Sequence, residues 1–316
     1  MDRSAMSVTP AIRVGVTPAL DLWSRPWDER RNAITRVADS GIDHVFFADH
    51  VSFRAGYGHD GMVLAAGIAN LHPTIGMYIG VYLLPLRHPV PVARQLANLA
   101  EMAPGRISFG VGVGGDDRHE VEVCGVDPRT RGRRTDESLE LVRRLLGGET
   151  VTHDGEFFAF EEARIVPTPD PAIPVYVGGR ADAALKRAGR LADGWLGIWC
   201  TAPRYRDATD LFAAAAQEAD RTLVPDHGIQ LWVGVGRDKG DAAGHVGPAM
   251  EGFYRVPFEK FERYTPYGTV DDIVSFLEPY LAAGCRHFNL TPCAASAEEG
   301  IDAIAAVRQR LRELGA

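Results

Sequence analysis

Two rhythms of apolar and polar positions take turns along this chain. Short, nearly unbroken apolar runs occur at 12–17, 44–48, 74–84, 106–113, 173–177, 194–199, 229–235 and 287–291. Runs of that length, bounded by Gly or polar residues, predict strands buried on both faces. Between them the period is helical. In 90–102, Val92, Leu96 and Leu99 fall at i, i+4 and i+7, one side of a helix. Leu139, Val142 and Leu146 mark a helix over 135–146, and Ile304, Val307 and Leu311 another over 297–313. Further helices are predicted over about 27–39, 60–70, 180–190, 204–221 and 270–283. Gly41 and Gly284 close two of them, as glycine does just past a helix end.

Eight strand–helix units in series predict an α/β fold with parallel strands inside and helices outside. Closed on itself, that is a (β/α)8 TIM barrel, one domain over 1–316. The segments 40–47 (SGIDHVFF) and 283–290 (AGCRHFNL) repeat the same helix end, Gly, link and strand. An open doubly wound sheet is the runner-up, but no GxGxxG turn follows the first strand. Two stretches break the rhythm and read as insertions after strands four and seven. In 147–171, Asp154-Gly155 between apolar flanks signals a hairpin. The second, 237–268, carries Phe253, Tyr254, Phe258, Phe261, Tyr264 and Tyr267. These aromatics either line a pocket or pack as a satellite core, and the pattern leaves both open.

Net charge narrows the partners. With 34 Lys+Arg against 42 Asp+Glu the chain carries −8, the wrong sign for a nucleic-acid partner. Arg129, Arg131, Arg133 and Arg134 form a local cluster, read first as a helix start or salt-bridged face and only then as a phosphate site. The four cysteines are far apart with no CxxC pair, the usage of a reducing compartment. No apolar run approaches the roughly 18–20 residues of a membrane helix. The expectation is a cytoplasmic protein acting on a small molecule, with no membrane partner.

In a barrel the chemistry sits at the C-terminal strand ends. Those ends carry Thr17, Asp49, His50, residues 80–83, 112–115 and 178–180, Trp199, Gly236 and Thr291. HExxH, GxSxG and His/Cys metal spacings are absent, so no metal ligand is assigned and hydrolase readings start low. Glycine-rich ends suit a large planar or phosphate-bearing ligand that approaches the backbone closely. Gly178-Gly179, opening a helix, presents free N–H groups and the helix dipole to an anion, although a bare tight turn has the same sequence. His50 is able to exchange a proton near neutral pH. A hydrogen bond to a neighbouring loop is its plainer role.

Three stretches together resemble the luciferase-like monooxygenase family over nearly the whole chain. They are FFADH (46–50), LLPLRHPVPVARQLANLAEMAPGRISFGVGVG (83–114) and PVYVGGRADAALKRAGRLADGW (174–195). The family fold is a (β/α)8 barrel. The resemblance implies a bulged third strand with a non-proline cis peptide, here Gly80-Val81, behind a flavin ring. It implies that Asp49-His50 are the acidic-His pair beside the ring, His50 being catalytic. It implies that Gly178, Gly179 and Arg180 hold the cofactor phosphate, and that Gly112 and Gly114 flank the cofactor. Trp195 matches a family motif and is either a packing residue or a cofactor contact.

The family uses either coenzyme F420, a deazaflavin that transfers hydride, or reduced FMN, which reacts with oxygen. The run VGGRADAALKRAGRLADGW is most similar to the deazaflavin members. The implied mechanism passes hydride between the deazaflavin and a small organic substrate, with His50 moving the proton and Asp49 orienting it. An FMN-dependent monooxygenase is the alternative, and a non-catalytic flavin-binding barrel the alternative of another class. The family's sugar-phosphate dehydrogenases have a Trp where this chain reads VSFRAG, and Glu where it reads GVTPAL and GVGGDDRHE. Sugar phosphate is therefore not the expected substrate. The resemblance also implies a homodimer.

Overall fold

A computed structural model describes residues 10–54, 56–115 and 117–315. In chain order the elements are β1 (Arg13–Val16), α1 (Trp27–Asp39), β2 (His44–Phe47), α2 (Gly61–Leu71), β3 (Gly76–Leu83), α3 (Pro89–Met102), β4 (Ile107–Gly112), α4 (Arg118–Val123) and α5 (Arg131–Leu146). A hairpin of β5 (Val151–Asp154) and β6 (Ala159–Ala163) follows. Then come β7 (Val175–Gly178), α6 (Asp182–Leu191), β8 (Gly194–Ile198), α7 (Ala202–Glu218), β9 (His227–Val235), α8 (Lys239–Tyr254), β10 (Tyr267–Gly268), α9 (Val270–Ala282), β11 (Cys285–Cys293) and α10 (Ala297–Leu314). The fold is a (β/α)8 barrel whose main strands are β1, β2, β3, β4, β7, β8, β9 and β11. Each overlaps a predicted strand. The predicted helices also appear, with ends moved by a few residues.

Contacts divide the chain into two compact units. The first holds the residues up to Pro18, Ser40–Ile42, and everything from Arg180 onward. Within it β1 pairs with β11, β11 with β9, and β9 with β8, all parallel; β10 adds to β9. Gly41 and Gly284 sit at φ +81° and +93°, the left-handed conformation expected past a helix end. Helix α9 opens on a capping box. The Thr269 hydroxyl accepts from Asp272 N at 3.3 Å, and Asp272 accepts from Thr269 N at 3.0 Å.

The second unit holds Ala19–Asp39 and Asp43–Gly179. Here β2, β3, β4 and β7 lie side by side and parallel. Every residue of β2 is buried, as apolar runs covered on both faces require. The 147–171 insertion is the antiparallel β5–β6 hairpin, turning at Asp154-Gly155 as predicted. Phe158, 4% exposed, packs with Ala93 and Ala97 of α3 and Leu141 and Leu145 of α5. The hairpin thus covers an apolar seam between two helices. Glu137 of α5 accepts from Phe157 N, Phe158 N and the His153 ring, which satisfies the hairpin tip.

The 237–268 excursion departs from expectation. Most of it is α8, not loop. Its four glycines and Pro248 hide the helix in the sequence. What holds it is tertiary: Ala242, Val246 and Met250 are buried at i, i+4 and i+8, and Asp238 caps the start by accepting from Asp241 N at 2.9 Å. Trp232, Val246, Met250 and Phe261 form a buried cluster, with Trp199, Tyr254 and Phe258 packed against it. The Trp232 indole N–H donates to the Tyr254 hydroxyl at 3.0 Å. The aromatics form a satellite core.

Two helical glycines give opposite expectations. A Cβ on Gly189 of α6 would strike Phe212 O and come within 2.8 Å of Ala215 Cβ and 2.9 Å of Ala216 N in α7. A Cβ on Gly244 of α8 would meet nothing within 4 Å. Gly189→Ala should destabilise by about 1–3 kcal/mol, as overpacking does. Gly244→Ala should stabilise by roughly 0.5–1 kcal/mol through helix propensity. Urea unfolding midpoints decide; shifts of the same sign in both variants would contradict the α6–α7 packing.

Candidate active site

Asp49 and His50 end the chain's second strand run, in the second unit. The side chains of these two neighbours have different fates. The Asp49 side chain is fully buried. Its two oxygens take both Nη groups of Arg87, at 2.6 and 2.8 Å, as a bidentate pair. They also accept from Gly61 N and Leu83 N, both at 2.9 Å. Arg87 further donates to Asp60 at 3.1 Å and to Leu83 O at 3.2 Å, and its guanidinium lies 4.4 Å from the Tyr82 ring centre. Burial pushes the Asp49 carboxyl up from its ordinary value, with the Arg87 charge pulling the other way. Burial also works against the Arg87 charge, but Asp49 outweighs it and the guanidinium stays firmly protonated. Asp49 is thus spent on scaffolding, and it is not the carboxylate on His50.

That carboxylate is Glu120 of α4. The His50 Nδ1 lies 3.1 and 3.3 Å from its two oxygens. Glu120 also accepts from Val51 N at 2.7 Å and Ser52 N at 3.2 Å. Its side chain is 4% exposed, that of His50 25%. Burial works against the Glu120 charge, but the His50 hydrogen bond and charge and the two amides outweigh it, and the carboxyl lies below its ordinary 4.5. Asp117, which caps α4 through His119 N, takes Arg54 N at 2.6 Å. Two carboxylates at i and i+3 therefore hold the loop after β2.

On β3 the ladder with β4 slips between Ile79 and Tyr82, and the Gly80-Val81 peptide there is cis. A Cβ on Gly80 would collide with the Phe46 ring, and one on Gly112 or Gly178 with the Val81 side chain. Val81 therefore seats against the ends of β4 and β7, and protein atoms already explain these three glycines. Gly114 has φ +70°. Beyond β7, Gly179 has φ +141°. In the other unit, α6 starts after Ala181, which offers no capping side chain, and the Arg180 guanidinium lies 5.0 Å from the Trp199 ring centre. Trp195 is 1% exposed and packs on Tyr205, a core position. The Arg129–Arg134 cluster is dispersed: Arg129 pairs with Asp127, Arg133 with Glu156, and Arg134 donates to Pro85 O. Among the described residues no His/Cys/Asp/Glu cluster is placed to hold a metal ion, and no helix is long and apolar enough to cross a membrane.

The paired strand-end acid and histidine, the bulge at Gly80-Val81 and the glycine turn before α6 together match one known pattern. The family model described as luciferase-like monooxygenase matches residues 5–272. The chain belongs to that family. An F420-dependent glucose-6-phosphate dehydrogenase of Beutenbergia cavernae is 34% identical over 204 residues, 60% of this chain and 59% of that one. An uncharacterized protein of Mycobacterium tuberculosis is 39% identical over 134 residues, 42% of this chain and 46% of that one. The chain thus spans about half the length of the curated relatives it matches. A solved F420-dependent secondary alcohol dehydrogenase in complex with an F420-acetone adduct superposes with a TM-score of 0.81 at 22% identity, over 94% of this chain and 98% of that one. That likeness shows the luciferase-like barrel fold.

Sequence reasoning missed Arg87 and Glu120. Arg87 stood in plain view inside the LPLRHP run of the family motif. A buried strand-end Asp calls for a cation, and that signal was available. Glu120 lies in the GVGGDDRHE stretch, 70 residues from its partner, with no local signal tying the two.

Arg87→Met should cost about 3–5 kcal/mol, because it leaves the Asp49 charge buried without its partner; denaturant unfolding checks this, and a loss under 1 kcal/mol would mean the pair is dispensable. The depressed Glu120 value sets a pH dependence. A carboxyl whose folded value lies below its unfolded one adds stability above the unfolded value and loses it as pH falls through the folded one. The stability gap between wild type and Glu120→Gln should therefore hold at neutral pH and shrink below about pH 4.5. A gap independent of pH would contradict an ionised Glu120.

Proposed function

We propose that this chain is an oxidoreductase that transfers hydride between coenzyme F420 and a small organic substrate, with His50 as the proton carrier. One observation carries the reading. At a barrel strand end, where such enzymes work, His50 is held through Nδ1 by an almost fully buried carboxylate, and its Nε2 makes no hydrogen bond among the described residues. Membership of the luciferase-like family and the F420-dependent relatives support the choice of chemistry.

The residues present fit a phosphate-bearing cofactor. Within the first unit, an α6 start without a side-chain cap and the Arg180 cation favour an anion. Gly178, Gly179 and Arg180 are the proposed phosphate residues; Gly80, Val81, Gly112 and Gly114 are proposed for the ring side. A bound deazaflavin supplies a two-electron hydride donor or acceptor. The protein's part is to position the substrate and to take or return its proton at His50 Nε2. Asp49 enters this reading as a scaffold residue that fixes where His50 stands. The family's name for monooxygenation supports FMN as the second reading. We also infer a cytoplasmic homodimer, which light scattering on the purified protein tests.

Titrating the apoprotein separately with F420 and FMN, followed by tryptophan fluorescence, separates the cofactors. Tight F420 and weak FMN binding is expected; the reverse would move the protein to the monooxygenases, and binding of neither would overturn both. His50→Ala should keep F420 affinity and lower turnover by about 10²–10⁴-fold. Unchanged turnover would remove His50 from the chemistry.

A further inference from the structure

We propose that Glu120 is a positioning residue that fixes His50 in the tautomer protonated at Nδ1, so that Nε2 is the nitrogen that carries the substrate proton. The consequence for turnover rests on the function proposed above; the tautomer itself does not.

An ionised carboxylate has no proton to give, so any hydrogen between it and an imidazole nitrogen comes from the histidine. Glu120 is ionised: two backbone N–H groups, of Val51 and Ser52, point at Oε1. The Nδ1 nitrogen sits 3.1 Å from Oε2. Neutral His50 must then hold its proton at Nδ1 and leave a lone pair on Nε2. A free histidine in water prefers the opposite tautomer only weakly, so one charged acceptor is enough to reverse it.

The plane of the ring is also fixed. Phe53 stacks on one face, ring centres 4.3 Å apart at 29°. Phe53 is itself fixed by two backbone hydrogen bonds with Tyr57, at 2.7 and 2.9 Å. Gly58, at φ +156°, presses against the base of the side chain; a Cβ there would stand 2.7 Å from His50 O and 2.9 Å from His50 Cβ. The His50 amide donates to His59 O at 3.0 Å. The imidazole is thus held at its base, on one face and at Nδ1. The side chain as a whole stays 25% exposed. When Nε2 accepts a proton the imidazolium forms against a carboxylate already in place, so no charge has to be moved to it.

The test uses the full chain labelled with ¹⁵N. Long-range imidazole correlation spectra at about pH 8, above the ordinary histidine range, read the tautomer directly. The sequence has ten histidines, and the signal missing in His50→Gln assigns this one. Wild type should show Nδ1–H and an unprotonated Nε2. Glu120→Ala should move His50 toward Nε2–H, and so should Glu120→Gln, whose amide oxygen is taken by Val51 N and Ser52 N and whose NH2 then faces Nδ1 as a donor. With F420 and a turnover substrate, Glu120→Ala should lose about 10–100-fold in kcat, the usual cost of removing an orienting partner, with KM little changed and Glu120→Gln similarly impaired. A wild-type His50 protonated at Nε2 overturns the proposal even if no variant folds. So does a Glu120→Ala protein that keeps both tautomer and kcat. Absence of F420 turnover in wild type, with Nδ1–H observed, would refute the proposed function while leaving the tautomer assignment standing.

Discussion

The buried pair of Asp49 and Arg87 is the constraint on which the second unit's site depends. A carboxylate with no exposed side-chain surface is tolerable only when its charge and lone pairs are met, and here four donors meet them. Those donors come from the start of α2, the end of β3 and the turn before α3. One side chain therefore gathers three segments at the end of β2. Asp60 joins in by taking Arg87 and capping α2 through Met62 N and Val63 N. The energy of such a pair is modest next to hydrophobic burial, because desolvation offsets the attraction. Its use is geometric: with one partner gone the other is stranded, so the segments have few ways to separate.

That anchoring separates Asp49 from His50. With Asp49 seated in the scaffold, the neighbouring His50 side chain is 25% exposed. The acid fixes the backbone, and the histidine, proposed as the proton carrier, has Glu120 from α4 beside it. The bulge at Gly80-Val81 is handled in the same economical manner. It turns Val81 toward β4 and β7, and Gly112 and Gly178 leave room for it. A glycine-rich strand end was read from the sequence as room for a ligand. At these positions the immediate reason is a neighbouring side chain.

The barrel was legible because its signal is local and repeated. Apolar runs the length of a strand alternate with the 3.6-residue period, and each predicted strand found its place, down to the Asp154-Gly155 hairpin. The failures have physical causes. Helix α8 carries glycines and a proline that intrinsic propensity counts against, and it is helical because Val246 and Met250 pack on Trp232. Helix α4 is six residues long, too short for periodicity to register. At the site, His50, Asp49 and the glycines were found from their places at predicted strand ends, and the family resemblance then gave them roles. Their partners were not found, because Arg87 and Glu120 stand 38 and 70 residues away from the residues they serve. Distance in sequence hides side-chain pairing even when both partners lie inside recognised motifs.

The placement of Glu120 ties His50 to the loop that follows it. The same carboxylate that faces Nδ1 holds Val51 N and Ser52 N, and Asp117, three residues earlier, holds Arg54 N. The stretch VSFRAG, where this chain departs from the family's sugar-phosphate dehydrogenases, is therefore not a free surface loop. Its backbone is bonded to α4, and its Phe53 lies on the imidazole. A substitution in that stretch would therefore also disturb the His50 ring. Helix α4, a six-residue element without a sequence signature, holds the loop and the imidazole at once.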